Sequence, residues 1–347
     1  VRPHPRHAWI YDTPKTDFST EKFISKLLNK NNEYVSLLNV LREVDSYSNF
    51  SDRFSNKRIS GGKKSASKKL TYATLYSLGT NIGHTETVKM AEGLAEKQLR
   101  DTESIFFSES SLKNVNNCIL EFVQSLNLPM LYVDNDRVIH TSSDGKKLVV
   151  DVDSLLANYS FKYFGKEYGI NVLNFVDPKQ TSFNVNILPS SDREAPYMLD
   201  GLLESADKLW ELYDENENEE REHIHSSDTH GYTEAVFAAL WFKGILLQPH
   251  IAKLWEHKLI AYDRQTVKEN IKYLVKASRD VDKKLILKHW DEMLRIMCSV
   301  ILGYCPAHLV FRQLSAGKAY HPVYKAFQEL GRLVRTRSTL RYLHDEE

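Results

Sequence analysis

The sequence predicts an α/β protein: a mixed sheet near residues 131–248, with helical regions before and after it. Three observations lead there. Between residues 34 and 126, apolar residues recur at helical spacing. Between residues 138 and 188 the pattern changes to β-branched runs separated by turn residues. From Arg193 onward helical spacing returns, interrupted by two short apolar runs. Helices, then strands, then helices imply a mixed core with helical layers.

Each element follows from local chemistry. The first 20 residues hold three prolines without periodicity and read as a linker or lead-in. Tyr34–Val44 places Val35, Leu38, Val40, Leu41 and Val44 near one helical face. The basic segment KRISGGKKSASKK follows, with Gly61-Gly62 as its turn. Leu70–Leu78 and Thr85–Leu94 read as helices separated at GTNIGH, where glycine suits both a helix end and a fresh start. Ser111–Leu126 is a serine-capped helix that stops before Pro129. Val138–Asp153 carries β-branched residues around a central Asp-Gly. Ile170–Val176 and Thr181–Leu188 are two strands joined through DPKQ. Arg193–Leu212 is helical, His223–Ser227 is a short strand, Tyr232–Phe242 is an apolar helix and Ile245–Leu247 is one more buried strand. Everything after Pro249 reads as helix, most clearly Gln265–Ala277 and Val281–Leu302.

Composition narrows the function. There are 46 basic and 46 acidic residues, so a uniformly basic nucleic-acid binder is disfavoured. Charge is nevertheless clustered. Arg53, Lys57, Arg58, Lys63, Lys64, Lys68 and Lys69 form one basic run, and Arg332, Arg335, Arg337 and Arg341 another. Such runs are either solvated surface or faces for a phosphate backbone. No apolar run is long enough to span a membrane, and Cys118, Cys298 and Cys305 are too few for a disulfide framework or a zinc knuckle. A reducing cytoplasm fits.

Two aspartates stand out. Asp144 lies in HTSSDGKK and Asp228 in IHSSDTHGYTE, each at a strand edge beside small residues. That setting leaves room for a hydrated cation and a phosphate, and magnesium takes carboxylate oxygens plus water. Two such ions can activate an attacking hydroxyl and stabilise a leaving oxygen. The plain alternatives are a hairpin turn at Asp144-Gly145 and a helix N-cap at Asp228. His223, His225 and His230 cluster without the spacing of a zinc site, though His225 or His230 could assist near Asp228. GGKKS lacks the first glycine of a phosphate loop.

These blocks, in order, resemble the transposases of the Tn-three family, which mobilise large bacterial replicative transposons. The resemblance starts near LLNVLREVDSYSNFSDRF. It runs through YSLGTNIGHTETVKMAEG, TSSDGKK, NYSFKYFGKEYGI, APYMLDGLL, SSDTHGYTEAVFAALWFKGI and KHWDEMLRIMCSVILGYCPAHLVFRQLSA, and it closes with ELGRLVRTRSTLRYL. It covers the chain from about residue 35 to the C-terminus.

The resemblance implies an RNase H-like DDE catalytic core at 131–248, preceded by a helical region at 21–130 and followed by a long all-helical insertion at 249–347. It implies that Asp144 and Asp228 are the first two catalytic carboxylates and hold Mg2+ or Mn2+. The family's third carboxylate lies in a later Asn-Lys-Gly-Glu block that is not in this chain. His230 replaces the family's small residue, and Glu234 stands where aspartate is usual. The implied function is DNA transposition in the bacterial cytoplasm on double-stranded DNA, with a homodimer as a further expectation. Lys63, Lys64, Lys68, Lys69, Arg332, Arg335 and Arg337 are the expected phosphate contacts. The chain is expected to be a central fragment that cleaves poorly alone, since two aspartates leave one ion under-coordinated. The alternatives are an inactive DNA-binding remnant and a metal-dependent nuclease without strand transfer.

Overall fold

The computed structural model describes residues 1–5, 7, 9–11, 35–55, 65–133, 137–151, 154–213, 221–229, 231–265, 275–316 and 320–344. They form two compact units, one of residues 14–130 and one of residues 1–13 with 131–347.

The 14–130 unit is helical: α1 (Leu37–Ser48), α2 (Lys68–Gly79), α3 (His84–Met90), α4 (Glu96–Phe106) and α5 (Glu109–Gln124). The serine cap expected at the start of the 111–126 helix is Ser108, three residues before the expected start. Ser67 and Ser108 accept from the backbone at the starts of α2 and α5, and Gly83 precedes α3 at φ 85°. Phe50, Phe54, Phe106 and Cys118 make the core, joined by Leu41 and Val44. The expected apolar face of α1 is corrected, because Val35, Leu38 and Val40 are exposed. The buried anchor of α1 is Asp45, which accepts from Ser51, Lys68 and Tyr72. Burial alone would raise its carboxyl, but these bonds outweigh it and hold the pKa at about 2.

The second unit opens with a small antiparallel pair, β1 (Arg2–Pro3) and β2 (Trp9–Ile10). Its main sheet contains β3 (Val138–Val149), β4 (Asn158–Tyr159), β5 (Tyr168–Val176), β6 (Ser182–Pro189), β7 (Glu222–Ser227) and β8 (Ile245–Leu247); the short helix α6 (Phe161–Phe164) lies between β4 and β5. β5 and β6 form an antiparallel hairpin. β5 pairs antiparallel with β3, β3 pairs parallel with β7, and β7 pairs parallel with β8. The DPKQ turn closes on Asp177, whose carboxylate accepts from Thr181 N. β4 extends the outer edge of β5 beside β6.

α7 (Glu194–Tyr213) covers the face bearing Leu173 and Phe175. Gly201 allows this approach, since a Cβ there would meet the Phe175 ring at 2.3 Å. On the other face of β3, β5 and β6, Leu148, Val185 and Ile187 are exposed. α8 (Glu234–Lys243) is apolar around most of its circumference, and Ala235 to Leu240 are all buried.

After β8 come β9 (Ile260–Ala261), β10 (Arg279–Asp280), α9 (Lys283–Lys288), α10 (Trp290–Ile301), α11 (Ala307–Leu314) and α12 (Pro322–His344). The expectation of helix throughout this region is corrected. β9 and β10 pair in parallel, two residues each, too short for a period to show. Most of the expected 265–277 helix lies outside the described residues. The expected 281–302 helix breaks at His289 into α9, capped by Asp282, and α10. α12 crosses α8 so closely that a Cβ on Gly331 would lie 1.6 Å from the Glu234 carbonyl oxygen. Among the described residues no helix is long and apolar enough to cross a membrane.

Candidate active site

Asp144 within β3 and Asp228 just past the end of β7 occupy adjacent positions on adjacent parallel strands. The last two paired residues of β3 and β7 are Ser142 with Ser226 and Ser143 with Ser227. Each aspartate is the next residue along, so two identical Ser-Ser-Asp tripeptides run side by side. Neighbouring strands lie about 4.8 Å apart, so the two residues are neighbours across the sheet. Both residues are exposed.

The structure excludes the plain alternatives for both. Asp144-Gly145 does not turn: β3 runs through it and stays paired to β5, Asp144 opposite Asn174. Asp228 does not cap α8; Thr233 does, accepting from Val236 N. Asp228 instead shapes the bend after β7, its Oδ1 accepting from Gly231 N at 2.9 Å. Thr229 braces that bend by donating to the His250 carbonyl at 2.9 Å.

Beneath the aspartates, β3 and β7 are joined by a buried polar network that sequence reasoning missed. Thr141 Oγ1 lies 2.9 Å from both His223 Nε2 and His225 Nδ1, and Ser143 Oγ lies 2.9 Å from His225 Nε2. The available signal was the repeat itself, since Thr141 and Ser143 on β3 and His223, His225 and Ser227 on β7 fall at alternate, inward positions. These histidines are neutral core residues. Burial lowers His223 to about 4 and His225 well below its ordinary value, with charge repulsion from neighbouring cations adding to the effect. Because both folded values lie below 6.5, the unfolded chain binds the extra protons between about pH 6.5 and 4. Stability is therefore full above 6.5 and falls as pH drops through that window, by on the order of 1–2 kcal/mol for His223 at pH 5, with His225 acting in the same direction. Urea titrations at pH 7 and pH 5 check this, and a flat profile over that interval contradicts it.

Glu194 is another carboxylate near Asp144, but it belongs to the opposite face. A Cβ on Gly145 would meet its carboxylate at 2.6 Å, and successive strand residues alternate sides. Glu194 is buried and accepts from Asn171 at 2.6 Å and Lys147 at 3.4 Å. Among the described residues no group of three or more His, Cys, Asp or Glu side chains is arranged to hold a metal. Two exposed carboxylates at adjacent register positions are of the chemistry a hard dication takes while keeping part of its water.

The expected phosphate contacts are placed variously. Lys63 and Lys64 lie outside the described residues. Lys68 is 2.7 Å from the buried Asp45 carboxylate, and Lys69 donates to the Glu92 carbonyl. Arg337 is exposed on α12, and Arg332 bonds Glu329 at 3.0 Å. Arg335 is largely buried on α12. It is 5% exposed, donates to Glu234 through Nη1, and donates to the Lys258 carbonyl through Nη2 at 3.1 Å. The acidic replacement at Glu234 thus has a partner within the fold.

The family model described as the Tn3 transposase DDE domain matches residues 39–347. The chain is 25% identical over 312 residues to the transposase for transposon Tn1546 of Enterococcus faecium, covering 90% of this chain and 30% of that protein. It is 26% identical over 315 residues to the transposase for transposon gamma-delta of Escherichia coli (strain K12), again 90% and 30%. It is 27% identical over 312 residues to the transposase for transposon Tn4556 of Streptomyces fradiae, 90% and 33%. The chain therefore spans about a third of the length of these relatives. The cryo-EM structure of a piggyBac transposase synaptic complex with hairpin DNA covers 89% of this chain and 80% of its own at 8% identity, with a TM-score of 0.28, too low to inform the fold.

Proposed function

The chain belongs to the Tn3 transposase DDE domain family, and from that premise we propose that Asp144 and Asp228 are the first two carboxylates of a metal-dependent phosphoryl-transfer site acting on double-stranded transposon DNA. The observation that carries this reading is the register of β3 and β7, which brings two Ser-Ser-Asp tripeptides side by side. An RNase H-like core is supported by the same sheet: an antiparallel β6-β5-β3 meander followed by parallel β7 and β8.

Asp144 and Asp228 would hold Mg2+ or Mn2+, and a bound ion would supply charge stabilisation and an activated oxygen nucleophile. The chain's own residues supply position. Pairing of Asp144 with Asn174 on β5, directly after the last β3–β7 pair at Ser143, fixes the Asp144 backbone. The Gly231 bond and the Thr229 brace fix the bend that carries Asp228. The neutral Thr141–His225–Ser143 network locks the two strands together without placing a competing cation beneath the site. Fixed placement of this kind is most of what phosphoryl transfer asks of a protein. A third donor, a transposon end and a target are further parts of this reading, as is a second copy of the chain.

Incubation with a plasmid bearing a transposon end is expected to give a slow, Mn2+-dependent nick that Asp144→Ala abolishes. Nicking that persists in that variant or in a chelator contradicts the assignment. Joining of the nicked 3′ end to a second DNA separates strand transfer from simple nuclease action.

A further inference from the structure

We propose that the cleft between β9, β10 and α12 is a phosphate-binding site for the backbone of a DNA strand, with Lys258 and Arg332 as its outer contacts and Arg279 and Arg335 as its walls. The cleft has a volume of about 470 Å³ and is lined by Lys258, Ile260, Ser278, Arg279, Arg332 and Arg335. Every charged residue of that lining is cationic.

The acids lie behind the cations and hold them in place. Glu329, buried on α12, takes Arg279 through two bonds of 2.5 and 2.7 Å and Arg332 through one of 3.0 Å. Its third type of partner is the Asp282 backbone N–H at 2.8 Å. Burial would raise Glu329, but these donors outweigh it and keep it ionised, with a pKa of about 2. Glu234 accepts from Arg335 through Oε1, although burial raises the Glu234 carboxyl above its ordinary value. Asp282 also lies near enough to favour the charge on Arg279.

Donors remain after these pairings. A guanidinium carries five N–H groups. Arg332 engages Glu329 through Nη1, leaving its other edge on a partly exposed side chain. Arg335 is buried and its Nε has no hydrogen-bond partner. Lys258 is exposed, and among the described residues no carboxylate lies within ion-pair distance of its ammonium. Fixed guanidinium forks beside a mobile ammonium suit a tetrahedral anion, because the forks give direction and the ammonium gives charge. A backbone phosphate fits that chemistry and carries no sequence information.

The choice of DNA as the source rests on the reading of the previous subsection; the anion chemistry does not. Inorganic phosphate and a non-specific DNA duplex are the two probes, on the chain and on its Lys258→Ala and Arg332→Gln variants. Phosphate is expected to raise the melting temperature of the parent chain and not of Lys258→Ala. The salt slope of log K for the duplex is expected to shrink by about one in Lys258→Ala. Stabilisation by phosphate with an unchanged duplex slope in both variants overturns the DNA assignment and points to a free phosphate compound. No response to phosphate, with equal slopes, overturns the site. Mn2+ binding at Asp144 and Asp228, measured in parallel, is expected to be unchanged in Lys258→Ala. A failed cleft with intact Mn2+ binding therefore leaves the catalytic reading standing.

Discussion

Asp144→Asn and Asp228→Asn are each expected to weaken Mn2+ binding by at least about 100-fold. Loss of a metal ligand's supporting partner alone costs 10- to 100-fold, and these residues are proposed as ligands themselves. Asparagine keeps an acceptor oxygen, so Asp144 can still meet Gly145 N and Asp228 can still meet Gly231 N. Both residues are exposed, so folding stability is expected to change by no more than about 0.5 kcal/mol. Loss of the free Mn2+ signal by electron paramagnetic resonance, alongside urea melts, separates the two effects. If either variant binds Mn2+ as tightly as the parent, that aspartate is not a ligand. If either unfolds, it is a structural residue.

Gly331→Ala is expected to destabilise the 131–347 unit by about 3 kcal/mol or more. Inserting even a methylene into a close-packed contact costs about 1–3 kcal/mol when side chains can adjust. Here the obstacle is main chain: the added Cβ would fall 1.6 Å from the Glu234 carbonyl oxygen and 3.3 Å from Ala238 N. Neither atom can rotate away, so α12 must lift off α8. The pairing of Arg335 with Glu234, which lies beside the same crossing, would then open. Because α8 follows directly on the bend carrying Asp228, metal affinity is expected to fall with stability. A Gly331→Ala protein that melts with the parent would mean that the helices are further apart than described.

Much of this was legible in the sequence, for identifiable reasons. β8 and the β5–β6 hairpin lie where short apolar and β-branched runs bounded by turn residues put them, because half-buried strands keep a period of two. A serine cap was legible for α5, though the cap is Ser108 and not at the expected start Ser111, while α8 is capped by Thr233 rather than Asp228. Other features depend on partners distant in sequence. The continuity of β3 through Asp144-Gly145 is decided by β5, which pairs with both residues and overrides the turn preference of Asp-Gly. The exposed face of α1 and the burial of Asp45 depend on Lys68 and Tyr72. The internal role of Arg335 requires Glu234, far away in the chain. For the candidate site, residue identity was legible and register was not. Two Ser-Ser-Asp repeats are visible in the sequence, but their adjacency is set by parallel pairing across the intervening hairpin and α7.

The most direct measurement is a crystal structure of the chain soaked in Mn2+, with anomalous scattering to locate the ion. The expected result is one anomalous peak where β7 ends beside the middle of β3, with a carboxylate oxygen of Asp144 and one of Asp228 each about 2.1 Å away. An ordered Asp144 and Asp228 pointing apart, with no ion between them at saturating Mn2+, would contradict the shared metal site.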